Sequence, residues 1–262
     1  MSYQTIEFNI ADNIATIRLN RPKAANSIDL AMAKELMSVA IECDENPEIR
    51  CVILTGNGPF FSAGGDVASF AEMGSDIGKG LKELTSYLHS ALARFSRMGA
   101  PLITAINGKA AGAGMSLALL GDIAIAADPV TFTMAYTAVG LTPDGGASYS
   151  LPRLVGERRA KELMLTNRPV TAEEAVAWGM INQAVAEDVL MDTALTVAKR
   201  FVKGPTAAYR EVKELLHASA NQGFEAQMEL EARAIARQGC SAEGQEGINA
   251  FLNKRKADFL NV

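Results

Sequence analysis

The chain has 262 residues, 48% of them hydrophobic and 21% charged, a balance that suits one folded domain or a domain with an appendage and excludes general disorder. Against 25 basic residues stand 30 acidic ones, a net charge of -5, with no dense basic block beyond Lys254-Arg255-Lys256, so nucleic acid is not the expected partner. No stretch is long and apolar enough to span a bilayer, so no membrane partner is expected either. Glu7, Asp12, Arg18 and Arg21 near the N-terminus fit neither a signal peptide nor a transit peptide. Cys43, Cys51 and Cys240 are odd in number and lack C-x-x-C spacing, which points to a reducing, cytoplasmic setting.

Residues Gln4 to Ile10 and Ile14 to Leu19 read as a strand pair joined at Ala11-Asp12-Asn13. A helix follows from Asp29, a good N-cap, with Leu30, Ala33, Leu36, Met37, Ala40 and Ile41 at helical spacing until Pro47. Cys51 to Thr55 is a buried strand ending in the loop Gly56-Asn57-Gly58-Pro59. Leu81 to Met98 has a helical period, Leu102 to Ile106 is another apolar strand, and Gly114 to Leu120 is a small-residue helix leading into the strand Ile123 to Ala126. This alternation predicts an α/β core with mainly parallel pairing. From Glu157 the chain reads as mostly helical: 159–165, 172–178, 189–202, 206–216 and 224–237. A division follows at Gly204-Pro205, with a core over 1–204 and a helical region over 205–262.

Two glycine-rich loops, Phe61-Ser62-Ala63-Gly64-Gly65-Asp66-Val67 and Asn107-Gly108-Lys109-Ala110-Ala111-Gly112-Ala113-Gly114-Met115-Ser116, each follow an apolar strand and precede a helix. Backbone N–H groups at a helix start lack intrahelical partners and sit at the positive end of the dipole, so two such turns together can hold one developing oxyanion. Taken singly, each is also what a plain turn or a close helix contact requires. Neither is a dinucleotide fingerprint or a phosphate-binding P-loop.

Together with Asn20-Arg21-Pro22, Asn26-Ser27, Leu54-Thr55-Gly56, Ala105-Ile106-Asn107-Gly108, Gly140-Leu141-x-Pro143-Asp144-Gly145-Gly146 and Ala250-Phe251-Leu252-x-Lys254-Arg255, these loops make the chain resemble the crotonase, or enoyl-CoA hydratase/isomerase, superfamily over nearly its whole length. The resemblance implies a crotonase-like spiral of ββα units with a helical C-terminal region, assembled as a homotrimer or a dimer of trimers. It implies an acyl-CoA thioester substrate, with coenzyme A entering only as part of that substrate. The oxyanion donors would be the N–H groups of Gly65 and Ala113. No metal is expected, because no cluster of Cys, His and carboxylates has ligand spacing.

The resemblance also implies where acids and bases belong. Typical enoyl-CoA hydratases carry two glutamates at positions held here by Ser116 and Tyr136, so the carboxylate pair that handles water is absent. Ser116, set among small residues, reads as a helix-packing position. Asp144 is the replacement base: isomerases of the ring-epoxide and Δ3,Δ2-enoyl-CoA type carry an aspartate at the matching position, although a turn-forming or N-capping aspartate is the alternative. The 4-chlorobenzoyl-CoA dehalogenases resemble the chain over Asp144 to Gly156 and Glu162 to Arg168; in them the aspartate is a nucleophile and a histidine matching His89 assists hydrolysis. Tyr136 stands where they have tryptophan, and His89 also reads as a surface or core-capping residue. Coenzyme A contacts map to Ala63, Asp66, Lys23, Phe251 and Lys254, the last also readable as part of a solvated basic cluster at a helix end.

The expected activity is therefore an enoyl-CoA isomerase, of double-bond or ring-epoxide type, acting through a thioester enolate with Asp144 as acid/base. Hydration with an unusual base and aryl-CoA dehalogenation are the alternatives. An RNA-binding or scaffolding relative would call for a lysine-rich exposed helix, and the lysines here are dispersed.

Overall fold

The computed structural model describes residues 3–262. The first strands, β1 (Ile6–Ala11) and β2 (Ile14–Leu19), pair antiparallel about Asp12 and Asn13, whose φ angles of 52° and 62° lie in the left-handed region that Asp and Asn tolerate. Asp29 caps α1 (Leu30–Glu45) by accepting the Met32 N–H at 2.8 Å. Next come β3 (Cys51–Gly56), β4 (Phe60–Ser62), α2 (Val67–Glu72), α3 (Ile77–Arg97), β5 (Leu102–Ile106), β6 (Lys109–Ala111), α4 (Ala113–Ala118), β7 (Ile123–Ala127) and β8 (Thr131–Thr133). After them run α5 (Ala147–Val155), α6 (Glu157–Thr166), β9 (Val170–Thr171), α7 (Ala172–Ala177), β10 (Gln183–Val185) and α8 (Leu190–Val202). The C-terminal region is helical: α9 (Thr206–Ser219), α10 (Phe224–Cys240) and α11 (Ala242–Leu252).

Two sheets form, ordered β1-β2-β3-β5-β7-β10 and β4-β6-β8-β9. Strands β3, β5 and β7 enter the larger sheet, and the strand after each, β4, β6 or β8, enters the smaller. Equivalent strands of successive turns stack in parallel, which is the repeat of a ββα spiral. The predicted parallel pairing is met, with antiparallel exceptions at β1–β2 and β8–β9. All six residues of β3 and all five of β5 are buried, as expected of central strands covered on both faces. Among the described residues no helix is long and apolar enough to cross a membrane.

The sequence pattern missed β4, β6, β8, β9 and β10 because strands of two or three residues carry no readable alternation. It also missed α11, where Gly244 and Gly247 dilute the helical signal, and it started α3 late because Gly78 and Gly80 depress local propensity. These short strands matter most, since β4 and β6 lead directly into the glycine loops.

Cys43 on α1 and Cys51 on β3 are buried while Cys240 at the end of α10 is exposed, and burial pushes the Cys51 thiol up to about 12. A thiol reagent is thus expected to label Cys240 alone in the native protein and all three cysteines after denaturation. Rapid native labelling of Cys43 or Cys51 would contradict this packing.

Candidate active site

Strands β4 and β6 are parallel neighbours, so the loops leaving their C-terminal ends emerge side by side. Gly64, at φ 97°, is the point of contact: a Cβ there would lie 2.7 Å from the Ala111 carbonyl oxygen and 3.0 Å from the Ala113 nitrogen. A Cβ on Gly114 would overlap the Ser62 carbonyl. The glycines therefore let the two loops touch, which no side chain would permit.

Most N–H groups along these loops are used. Ala63 donates to the Ala25 carbonyl (2.9 Å), Gly64 to Ser62 Oγ (3.2 Å), Asp66 to the Ile28 carbonyl (3.0 Å) and Gly112 to the Thr133 carbonyl (3.0 Å). Those of Gly65 and Ala113 meet no acceptor among the described residues, and both residues line one cavity of about 380 Å³. Ala113 is the first residue of α4, whose N–H has no intrahelical partner, whereas Gly65 lies just before Asp66, the N-cap of α2.

Buried and half-buried polar groups hold the loops. Asn26, fully buried at φ 52°, accepts the Arg21 N–H at 2.9 Å and donates through Nδ2 to the carbonyls of Asn57 and Phe60 at 2.9 and 2.8 Å. Arg21 bridges the two helix N-caps, with Nη2 3.2 Å from Asp29 and Nη1 2.9 Å from Asp66. Burial pushes the Asp66 carboxyl up, but the Ser69 N–H and the Arg21 guanidinium outweigh it and leave the group below its ordinary value. Asn107 accepts the Gly56 N–H and donates to the Gly58 carbonyl, each at 2.9 Å.

Asp144 lines the same cavity, on a turn whose next residues, Gly145 and Gly146, have φ of 62° and 80°. A Cβ on Gly145 would approach the Ser116 Cβ to 3.0 Å, so this turn too needs glycine. Gly146, not Asp144, is the N-cap of α5 and gives it no side-chain bond; the N-capping alternative for the Asp144 carboxylate is therefore set aside. The carboxylate instead meets His89 of α3, with Nε2 2.7 Å from Oδ1, while Oδ2 has no protein partner among the described residues. His89 is half exposed, its side chain 50% accessible against 32% for Asp144.

The model of the enoyl-CoA hydratase/isomerase family matches residues 9–261. The chain belongs to that family. It is 38% identical over 259 residues to a "Probable enoyl-CoA hydratase" of Rhodobacter capsulatus, covering 99% of both chains, and 35% identical to the 1,2-epoxyphenylacetyl-CoA isomerase of Escherichia coli, covering 96% of both. A 4-chlorobenzoyl coenzyme A dehalogenase of an Arthrobacter species is 31% identical, with 86% of this chain and 82% of that one covered. Among solved structures, the enoyl-CoA hydratase of Bacillus anthracis superposes with a TM-score of 0.91 at 31% identity, covering 98% of this chain and 99% of that one.

Within this family fold, Ser116 and Tyr136 do more than fill space. Their hydroxyls are 3.0 Å apart, and both reach the main-chain carbonyl of Asp144, Ser116 Oγ at 2.8 Å and Tyr136 OH at 3.1 Å. Ser116 is thus bonded to the Asp144 turn rather than serving only as the packing residue its neighbours suggest. Burial, helped by the Asp144 charge and opposed by the Ser116 hydrogen bond, pushes Tyr136 up to about 12, so it acts as a neutral donor. Nothing local in the sequence marks this clamp, or the one Arg21 makes, because the partners lie on separate elements.

The remaining sequence candidates are distributed unevenly. Ala63 lines the cavity; the Asp66 side chain is committed to Arg21 and to the Ser69 N–H. Lys23 lies in the short 3-10 turn after β2 and Lys254, at φ 50°, just beyond α11; neither lines the cavity. Phe251 on α11 is 83% exposed and likewise outside it.

Both hydroxyls reach the Asp144 carbonyl, so either alone can hold it. Ser116→Ala and Tyr136→Phe are each expected to lower kcat by no more than about threefold, because the remaining hydroxyl keeps the Asp144 carbonyl bonded. The double variant should lose about 100-fold with KM little changed, as the carboxylate drifts from its place. Strictly additive losses would show that the hydroxyls do not share one task.

Proposed function

We propose that the protein is an acyl-CoA isomerase that moves a double bond, or opens a ring epoxide in the related manner, through a thioester enolate. One observation carries the reading: Asp144 is the single carboxylate among the described residues lining the cavity onto which the free N–H groups of Gly65 and Ala113 open. One carboxylate suffices to take a proton from one carbon and return it to another, whereas handling a water calls for the carboxylate pair that Ser116 and Tyr136 replace.

In this reading the thioester oxygen accepts from the Gly65 and Ala113 N–H groups, each worth about 3 to 4 kcal/mol as negative charge develops. Asp144 Oδ2 removes the α proton, the enolate charge settles on the thioester oxygen, and the carboxyl, now protonated, delivers its proton to the γ carbon. His89 donates to Oδ1 and orients the carboxylate. Coenzyme A enters as part of the substrate, with the backbone at Ala63 and Asp66 beside the thioester arm and Lys23, Phe251 and Lys254 as outlying contacts for its nucleotide. The protein works in the cytoplasm as a homotrimer or a dimer of trimers, to which the exposed Leu216, Phe224, Ile235 and Leu252 of the C-terminal helices are suited.

A second reading is favoured by the 2.7 Å contact between His89 and Asp144, which would also serve an aspartate nucleophile attacking an aryl ring and a histidine assisting ester hydrolysis. Offering the purified protein 3-enoyl-CoA, 2-enoyl-CoA and 4-chlorobenzoyl-CoA separates the cases. Isomerisation of the first is expected, with solvent or substrate deuterium appearing at the α or γ carbon. Asp144→Asn should lower kcat by about 100-fold to 10,000-fold. A variant as fast as the parent would remove Asp144 as the base, and chloride release with an ester trapped on Asp144 would establish the second reading instead.

A further inference from the structure

The wall of the cavity says what kind of acyl group it receives, granted the reading of the cavity as an acyl-CoA site. Helix α3 contributes Leu81, Leu84, Thr85 and Leu88, a stripe at positions i, i+3, i+4 and i+7 that faces the cavity, while Lys79, Lys82, Glu83 and Ser86 of the same helix are exposed to solvent. Val67 and Phe70 from α2, Ile28, Val139 and Leu141 complete an apolar lining. The polar side chains in it are Thr85, Tyr136, Thr142 and Asp144. Thr85 already has an acceptor for its hydroxyl in the Lys82 carbonyl at 3.2 Å, and Tyr136 is held by Ser116 and the Asp144 carbonyl.

No lysine, arginine or histidine lines this cavity among the described residues, and its one charged side chain is the anionic Asp144. A carboxylate at the far end of an acyl chain would be stripped of water with no cation to meet it, and Asp144 would repel it further. A hydrocarbon chain, by contrast, gains from the same apolar wall.

We propose that the substrate is the thioester of an uncharged, predominantly apolar acyl group, and that acyl groups ending in a carboxylate are rejected by the α3 stripe together with Asp144. The selectivity belongs to binding, so it can be read apart from the reaction. Competition calorimetry with two saturated thioesters of equal carbon number, hexanoyl-CoA and adipyl-CoA, is expected to show about 100-fold tighter binding of hexanoyl-CoA, the scale set by an unpaired buried charge. Thr85→Lys places a cation on the lining at a half-buried position and should narrow or reverse that ratio by strengthening adipyl-CoA binding. Equal affinities of the parent for the two thioesters, or tighter adipyl-CoA binding, would overturn the inference whatever the chemistry. Selective binding without isomerisation of 3-hexenoyl-CoA would leave it standing and remove the isomerase reading. Binding of neither thioester would overturn both.

Discussion

The parallel pairing of β4 with β6 is the constraint on which the site depends. Each strand is only three residues long, but their adjacency makes two loops that are distant in sequence emerge from the same end of one small sheet. Glycine then lets the loops close to backbone contact, at Gly64 against Ala113 and at Gly114 against Ser62. The N–H groups of Gly65 and Ala113, both on the cavity, are left without an acceptor among the described residues by this arrangement. Donors held in fixed positions need no reorganisation when charge develops before them, which is the physical basis of their value in catalysis.

Holding such donors costs conformational freedom, and buried polar side chains offset it. Asn26 and Asn107 join segments remote in sequence and satisfy backbone groups that the irregular loops would otherwise leave unpaired, while Arg21 ties the Asp29 and Asp66 carboxylates together. A similar device acts at the Asp144 turn. There the carbonyl of Asp144 is held by the hydroxyls of Ser116 and Tyr136, and the carboxylate by His89. Positions that the resemblance assigns to hydratase glutamates thus hold neutral hydroxyls that secure the turn bearing the single carboxylate. The family fold is retained, and it is the site rather than the fold that bears on the reaction.

The apolar lining completes this division of labour. Helix α3 turns its charged residues to solvent and its leucines to the cavity by the ordinary 3.6-residue period, so one amphipathic helix both covers the core and shapes the pocket. Phe70 of α2 packs directly over Gly65, close enough that a Cβ there would strike its ring at 2.7 Å, which ties the Gly65 turn to the apolar wall.

Much of this was legible in the sequence alone. Periodicity and capping placed α1 and its Asp29 cap, the buried strands β3 and β5 and the helical C-terminal region, because hydrophobic spacing and N-cap chemistry are local. Motifs in family order identified the two loops and Asp144, and the substitutions at Ser116 and Tyr136 showed that a carboxylate pair was missing. The tertiary structure decided what those residues touch. Short strands such as β4 and β6 have no pattern of their own and exist only through pairing, so their meeting could not be read from either segment. The clamps on Asp144 join α3, α4, the segment after β8 and the turn before α5, and a hydrogen bond between remote segments leaves no trace in the spacing of either. The amino-acid sequence by itself thus determined the family and the inventory of chemical groups, since both depend on residue identity and order. Which N–H groups stay free, which carboxylate faces the cavity and which side chains hold it were decided by the folded chain, because these are distances between elements far apart along it.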